Sequence, residues 1–342
     1  MEIEFLIYKI ILIASILGLS LFVAMYATLF ERKIAAFFQD RIGPNRAGKW
    51  GLLQPLADGI KLFFKEEFIP ISADKFLYVL GPSLSMFISL LTSAVIPWGD
   101  SLTINGKTYP LQVADVNIGI LFIFAVVSIG VYGVMIGGWA SNNKYALLGA
   151  VRASSQMISY ELALGLSIIA IVMTSGTLSL SEIVEQQKGF NWNIIYQPLG
   201  FFIFLICAFA ETNRAPFDLP ECETELVGGY HTEYSSMKLG FYLFSEYINM
   251  FISGAIISTL FLGGYDMPGL DMLGLSQNGL AIAGFFVLFI KISLIIFLFM
   301  WIRWTLPRFR YDQLMRLGWK KLLPLAVVNL LLTGAISLAF AG

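Results

Sequence analysis

Eight apolar stretches divide this chain, near residues 5–30, 73–96, 116–138, 149–175, 194–210, 238–262, 280–303 and 321–340. An α-helix needs roughly 20 residues to cross the hydrocarbon core of a bilayer. Backbone amides in lipid find no water to bond, so apolar segments of this length are expected to be helical. Composition agrees: 57% of residues are hydrophobic, 13% are charged and the mean hydropathy is +0.76, whereas a soluble domain carries about 25% charge. The chain is therefore expected to be an all-α polytopic membrane protein, one membrane domain over 1–342 with about eight transmembrane helices. The first stretch reads as a retained span, because Glu2 and Glu4 rather than a basic region precede it and Glu31, Arg32 and Lys33 follow it.

Basic residues set the expected orientation. The first, third, fifth and seventh connections, with their flanks, hold 18 lysines and arginines, against three on the other side including Lys9. By the positive-inside rule those four connections are cytoplasmic. Both termini then lie on the outer face.

The fifth connection is the exception in charge. Residues 211–234, ETNRAPFDLPECETELVGGYHTEY, carry Glu211, Asp218, Glu221, Glu223, Glu225 and Glu233. Carboxylates gathered beside a membrane point to protons or cations. Pro216 and Pro220 make the start of this acidic loop, about 211–237, irregular. An extended chain would line Glu221, Glu223 and Glu225 along one side, and a helix would pair only Glu221 with Glu225. Either crowding lets the cluster hold shared protons. A merely solvated acidic loop is the alternative, against which stand the interleaved Phe217, Leu219, Leu226 and Val227.

Inside the first connection, Leu53, Leu56, Ile60, Phe63 and Phe64 recur at helical spacing opposite Gln54, Asp58, Lys61 and Lys65. This predicts an amphipathic helix over about 50–67 lying along the cytoplasmic interface. It serves either as an anchor or as the wall of a lateral opening for an apolar ligand. Glu161, Glu246 and Lys291 fall inside spans, where an ionisable group is costly and faces the bundle interior or water. They are candidates for a proton route, the alternative being an ion pair of Lys291 with Glu161 or Glu246.

Redox ligands are scarce. Cys207 lies in a span and Cys222 in a loop, and the single His231 cannot supply paired haem ligands. No Walker loop or dinucleotide fingerprint occurs, and Gly130, Gly133 and Gly137 sit within a span, where small residues mediate helix packing. The chain is expected to bind no redox centre.

The segments ERKIAAFFQDRIGPNRAGKWGLLQPLADGIKLFFKEE at 31–67 and AETNRAPFDLPECETELVGGYHTEY at 210–234, with SSQMISYELALGL at 154–166 and FSEY at 244–247, resemble the NuoH family. These are the junction membrane subunits of respiratory complex I, the proton-pumping NADH:quinone oxidoreductase of the bacterial inner membrane. The resemblance covers essentially the whole chain. It implies that a chain of this kind forms much of the quinone tunnel, with Glu31, Arg32, Gln39, Arg41, Asp58, Lys61 and Phe217 on or near its wall. It further implies that Glu211, Asp218, Glu221, Glu223 and Glu225 join Glu161 and Glu246 in coupling quinone reduction to proton movement, with Arg214 and Lys291 balancing charge. NADH, FMN and iron-sulfur clusters belong, on this reading, to partner subunits. The implied partners are peripheral-arm subunits, small membrane subunits, antiporter-like subunits, lipid and quinone, with no nucleic acid. Membrane subunits of energy-converting hydrogenases and stand-alone cation transporters are the rival classes.

Overall fold

The computed structural model of the protein describes residues 2–104, 106–218 and 227–341. Glu221, Glu223, Glu225 and Cys222 lie outside the described residues. Among the described residues, seven helices are long and apolar enough to cross a membrane. They are α1 (Glu2–Phe38), α3 (Lys75–Thr92), α4 (Gly119–Ala140), α5 (Lys144–Ser175), α9 (Ser236–Phe261), α10 (Gln277–Thr305) and a last rod. That rod joins α11 (Tyr311–Leu317) through a π-turn at Gly318–Leu322 to α12 (Leu323–Ala341).

The fifth apolar stretch behaves differently from the others. It forms α8 (Pro198–Glu211), whose 14 residues span only about 21 Å at 1.5 Å per residue. Gln197 leaves the helical region at φ −128°, ψ 52°, and Pro198 starts a new helix there, detached from the single turn α7 (Asn193–Tyr196). A proline fits this first position because its missing N–H has no intrahelical partner to lose. The Gln197 amide donates to Thr333 Oγ1 at 2.9 Å, and Asn329 donates to Gln197 Oε1 at 3.3 Å. One more short helix, α6 (Leu180–Gln186), precedes α7.

The amphipathic helix is α2 (Gln54–Phe64), shorter than the 50–67 expected. Trp50 at φ 59° breaks its approach, and Lys65 ends it in an extended conformation. Its faces are distributed as an interfacial helix requires. Leu53, Leu56, Ile60, Phe63 and Phe64 are exposed, while Asp58 turns inward to Arg32 of α1 at 2.8 Å.

Helix α9 is the axis of the bundle. In its apolar window 72% of residues are buried, against 22% in the last rod. The largest core gathers Ile248, Phe251 and Phe261 of α9 with Phe204 and Phe209 of α8, Ile171 of α5 and Phe299 of α10. At about 25 cal/mol per Å² such side chains hold helices together only relative to water; between lipid-soluble helices, packing and hydrogen bonds do the selecting.

The end of the bundle opposite the basic connections carries the described sheet, a hairpin of β1 (Ser101–Ile104) and β2 (Lys107–Pro110). Gly106 turns it at φ 77°. Lys291 also faces this end. The alternative raised from the sequence, a pairing of Lys291 with Glu161 or Glu246, is not seen among the described residues. Its ammonium donates instead to the carbonyls of Leu262, Gly264 and Asp266, at 2.6, 2.8 and 2.5 Å. Loop carbonyls just past the end of α9 need donors when they are taken from water, and Lys291 supplies three. Gln187 and Asn193 serve the same terminus by donating to Thr259 O and Leu260 O, at 2.9 and 2.8 Å.

Candidate functional site

The chain reverses direction after α8, and that reversal builds the site. Asn213 takes a left-handed conformation, φ 50°, which its short polar side chain tolerates. Gln156 of α5, fully buried, donates to Ala210 O at 2.8 Å and Phe217 O at 2.7 Å, fastening both ends of the reversal. Arg214 is thereby held inside the bundle, 5% exposed.

Around Arg214 three helices contribute charge. Its guanidinium lies 3.3 Å from Glu246 Oε2 of α9 and 3.7 Å from Glu31 Oε2 of α1, and stacks 4.1 Å from the ring centre of Tyr247. Tyr247 donates to Glu31 Oε2 at 2.8 Å, and Arg303 of α10 meets Glu31 Oε1 at 2.6 Å. Two cations thus face two carboxylates with little water. A planar guanidinium suits this task better than a point-like ammonium, since it can engage both carboxylates and an aromatic face together.

A cavity of about 210 Å³ opens on this cluster. Met25, Thr28 and Arg32 of α1, Pro55, Asp58 and Leu62 of α2, Phe244 and Tyr247 of α9, Arg214 and Arg303 line it. Its wall combines an apolar surface with the charged groups of Arg32, Asp58, Arg214 and Arg303, a mixture that suits a small molecule with an apolar body and a polar end. Deeper in the bundle, a small polar cavity connects Glu246 to Glu211 past Ser85, Ser89, Ser245, Asn249 and Ser253. A third, mostly apolar cavity is lined by both Glu211 and Glu161. Glu161 accepts from Ser128 Oγ at 2.9 Å, and Glu211 Oε2 is buried without a hydrogen-bond partner among the described residues. A buried, unpartnered carboxylate oxygen is expensive, and facing a polar cavity it is a place for water or a proton. The order of groups is Glu31, Arg214, Glu246, Glu211, Glu161.

The sequence-derived residues divide by this geometry. Glu31, Arg32, Asp58, Arg214, Glu246, Glu211 and Glu161 fall in or beside the cavities. Asp218 is buried and meets Arg308 at 3.1 Å. Gln39 and Arg41 are exposed and bond each other at 2.7 Å, away from the cavity lining, and Lys61 is exposed on α2. Phe217 is absent from the cavity wall and packs against Tyr160 and Phe309 instead. Sequence reasoning missed Tyr247, Arg303, Gln156 and Ser128. In the sequence Arg303 counts only as a topological charge, and Tyr247 stands unremarked beside Glu246 within FSEY.

Known proteins share this sequence along nearly its whole length. A family model described as NADH dehydrogenase matches residues 10–334. The chain is 66% identical to an NADH-quinone oxidoreductase H-type subunit of Cytophaga hutchinsonii, over 99% of each chain. It is 62% identical to the NADH-quinone oxidoreductase H-type subunit of Flavobacterium psychrophilum, over 99% of this chain and all of the relative. Against an H-type subunit of the same oxidoreductase from Geobacter metallireducens the identity is 53%, over 95% of this chain and 94% of that one.

Proposed function

Because the chain belongs to the NADH dehydrogenase family, among the H-type subunits of NADH-quinone oxidoreductase, we propose that it forms much of the quinone-access tunnel and couples quinone reduction to proton movement. The cavity between α1, α2, α9 and α10 receives the quinone ring, with the apolar face of α2 turned to the bilayer from which the tail enters. Glu31, Arg214 and Arg303 set the potential at its inner wall. Change in the charge of the quinone alters the balance between Arg214 and its two carboxylates, and Glu246 relays that change through Glu211 to Glu161. The observation that carries this reading is the sharing of residues between neighbouring cavities: Glu211 lines both inner ones, and Glu246 borders the first of them while meeting Arg214.

NADH, FMN and iron-sulfur clusters reside on this reading in partner subunits of the peripheral arm, and small and antiporter-like membrane subunits receive the coupling signal. The basic connections, the acidic loop and α2 face the cytoplasm, and both termini face outward. Glu221, Glu223 and Glu225 of the acidic loop belong, on this reading, to the same proton-coupling set as Asp218. The test is replacement of Glu211, Asp218 or Glu225 by the neutral amide in an assembled complex. Loss of proton translocation and slowed quinone reduction are expected; wild-type values for both would sink the proposal.

A further inference from the structure

Beside the carboxylate series, and not used by it, lies a second core built around four tyrosines: Tyr78 of α3, Tyr230 and Tyr234 of the segment entering α9, and Tyr242 of α9 itself. Tyr78 and Tyr234 stack with ring centres 4.2 Å apart, and Tyr234 and Tyr230 each set an edge contact with Tyr242, at 5.1 and 4.9 Å. Ring packing alone would be served equally by phenylalanine, but here the hydroxyls have seats. Tyr242 Oη donates to Gly133 O at 3.0 Å, inside a notch between α3 and α4. That notch is kept open by two residues that lack side chains. A Cβ on Gly137 would overlap the Tyr242 oxygen, one on Gly81 would come within 2.6 Å of it, and Gly133 supplies the acceptor. Tyr234 Oη donates to Gly137 O at 3.2 Å, and Tyr78 Oη to Glu233 O at 2.6 Å. Burial pushes Tyr234 up to about 12, so its hydroxyl remains a donor throughout the physiological range.

The position of this seat on α9 matters. Tyr242 and Glu246 are four residues apart and so share a helix face. Tyr230, whose ring abuts Tyr242, also reaches Glu246 Oε1 with its hydroxyl at 3.3 Å. We propose that Tyr242 is a positioning residue: its hydroxyl, seated in the Gly81–Gly133–Gly137 notch, fixes the rotation of α9 that aims Glu246 at Arg214. Through Tyr230 and Tyr234 the same rotation is tied to the segment that leaves the acidic loop. The inference rests on the reading that Glu246 belongs to the coupling path.

The test uses the assembled complex in native membrane vesicles, with every rate expressed per unit of NADH:ferricyanide activity, which does not pass through quinone. Tyr242→Phe is expected to lower kcat of inhibitor-sensitive quinone reduction about fivefold, the scale of one lost hydrogen bond. KM for quinone stays unchanged while the pH profile and the protons moved per NADH change. Gly137→Ala is expected to be more severe, and adding Tyr242→Phe to it should recover part of the loss, because the oxygen in the way is gone. Wild-type kcat and pH profile in Tyr242→Phe overturn the proposal, as does a loss confined to the amount of complex, or strictly additive penalties in the double variant. Glu246→Gln separates the two readings. Wild-type pumping in that variant defeats the coupling path itself, whereas an impaired Glu246→Gln beside a normal Tyr242→Phe defeats only the positioning role.

Discussion

Replacing Arg214 by glutamine should damage the two carboxylates it serves unequally, and the structure gives the scale. At an effective dielectric of about 20, unit charges at 3.3 Å attract by about 5 kcal/mol and at 3.7 Å by about 4.5 kcal/mol. Desolvation offsets much of this in the intact pair, but removing one partner of a buried pair exposes the imbalance and costs about 3–5 kcal/mol. Glu31 retains Arg303 at 2.6 Å and the Tyr247 hydroxyl, whereas Glu246 loses the guanidinium that faces it. The expected signature is therefore coupling with Glu246 more than with Glu31. In a double-mutant cycle, survival of the intact complex on graded heating, read on native gels, should give Arg214→Gln and Glu246→Gln an interaction energy of about 1–3 kcal/mol. Arg214→Gln with Glu161→Gln, which do not touch, should be additive within about 0.5 kcal/mol. Arg214→Lys should recover only part of the loss, since an ammonium cannot bridge both carboxylates and stack on Tyr247. Additive behaviour of Arg214→Gln with Glu246→Gln would refute the argument that the two act as a pair.

Three further outcomes are expected. Lys291→Met leaves the carbonyls of Leu262, Gly264 and Asp266 without their half-buried donor, so amide exchange measured by mass spectrometry should rise over residues 258–266 and stay unchanged around Glu246. Tyr160→Phe removes the hydroxyl that donates to Leu314 O at 2.9 Å and should cost about 1–3 kcal/mol, seen as a lower heating midpoint of the complex. Tyr234 is raised by burial from about 10 to about 12, so its contribution to stability is complete below pH 10 and is lost as pH rises through 12. Between those values Tyr234→Phe should lose stability less steeply with pH than the unsubstituted protein; identical slopes in the heating midpoint would contradict this.

Long-range hydropathy is legible in the sequence because it is a local property: a window of apolar residues reads as a span wherever its neighbours go. The short α8 shows where such counting stops, since residues 194–210 are apolar apart from Gln197, yet Pro198 divides them. The hairpin escapes a hydropathy reading because it lies between apolar windows, although Asn105-Gly106 between polar and β-branched residues is a turn signal. Glu31, Glu161, Glu211 and Glu246 stand out because a carboxylate in or beside an apolar helix is costly. Partner choice is a different matter. Nothing near Lys291 in sequence announces that a loop some 25–29 residues earlier folds back over it, and Arg303 looks like any lysine or arginine at a helix end until α1 is placed against α10.

The short helix also bears on how the chain is made. A segment about 21 Å long is short for a bilayer core about 30 Å thick, so α8, which has to cross in the proposed topology, is a poor candidate to leave the translocation channel into lipid unaided. Its leading amide, Gln197, finds Asn329 and Thr333 more than 130 residues later. During synthesis α8 must therefore lean on α5, already in place, and wait for α12 before its polar end is satisfied. The loop bearing Arg214 follows α8 directly, and its charge site is completed only after α9 and α10 bring Glu246 and Arg303 to it.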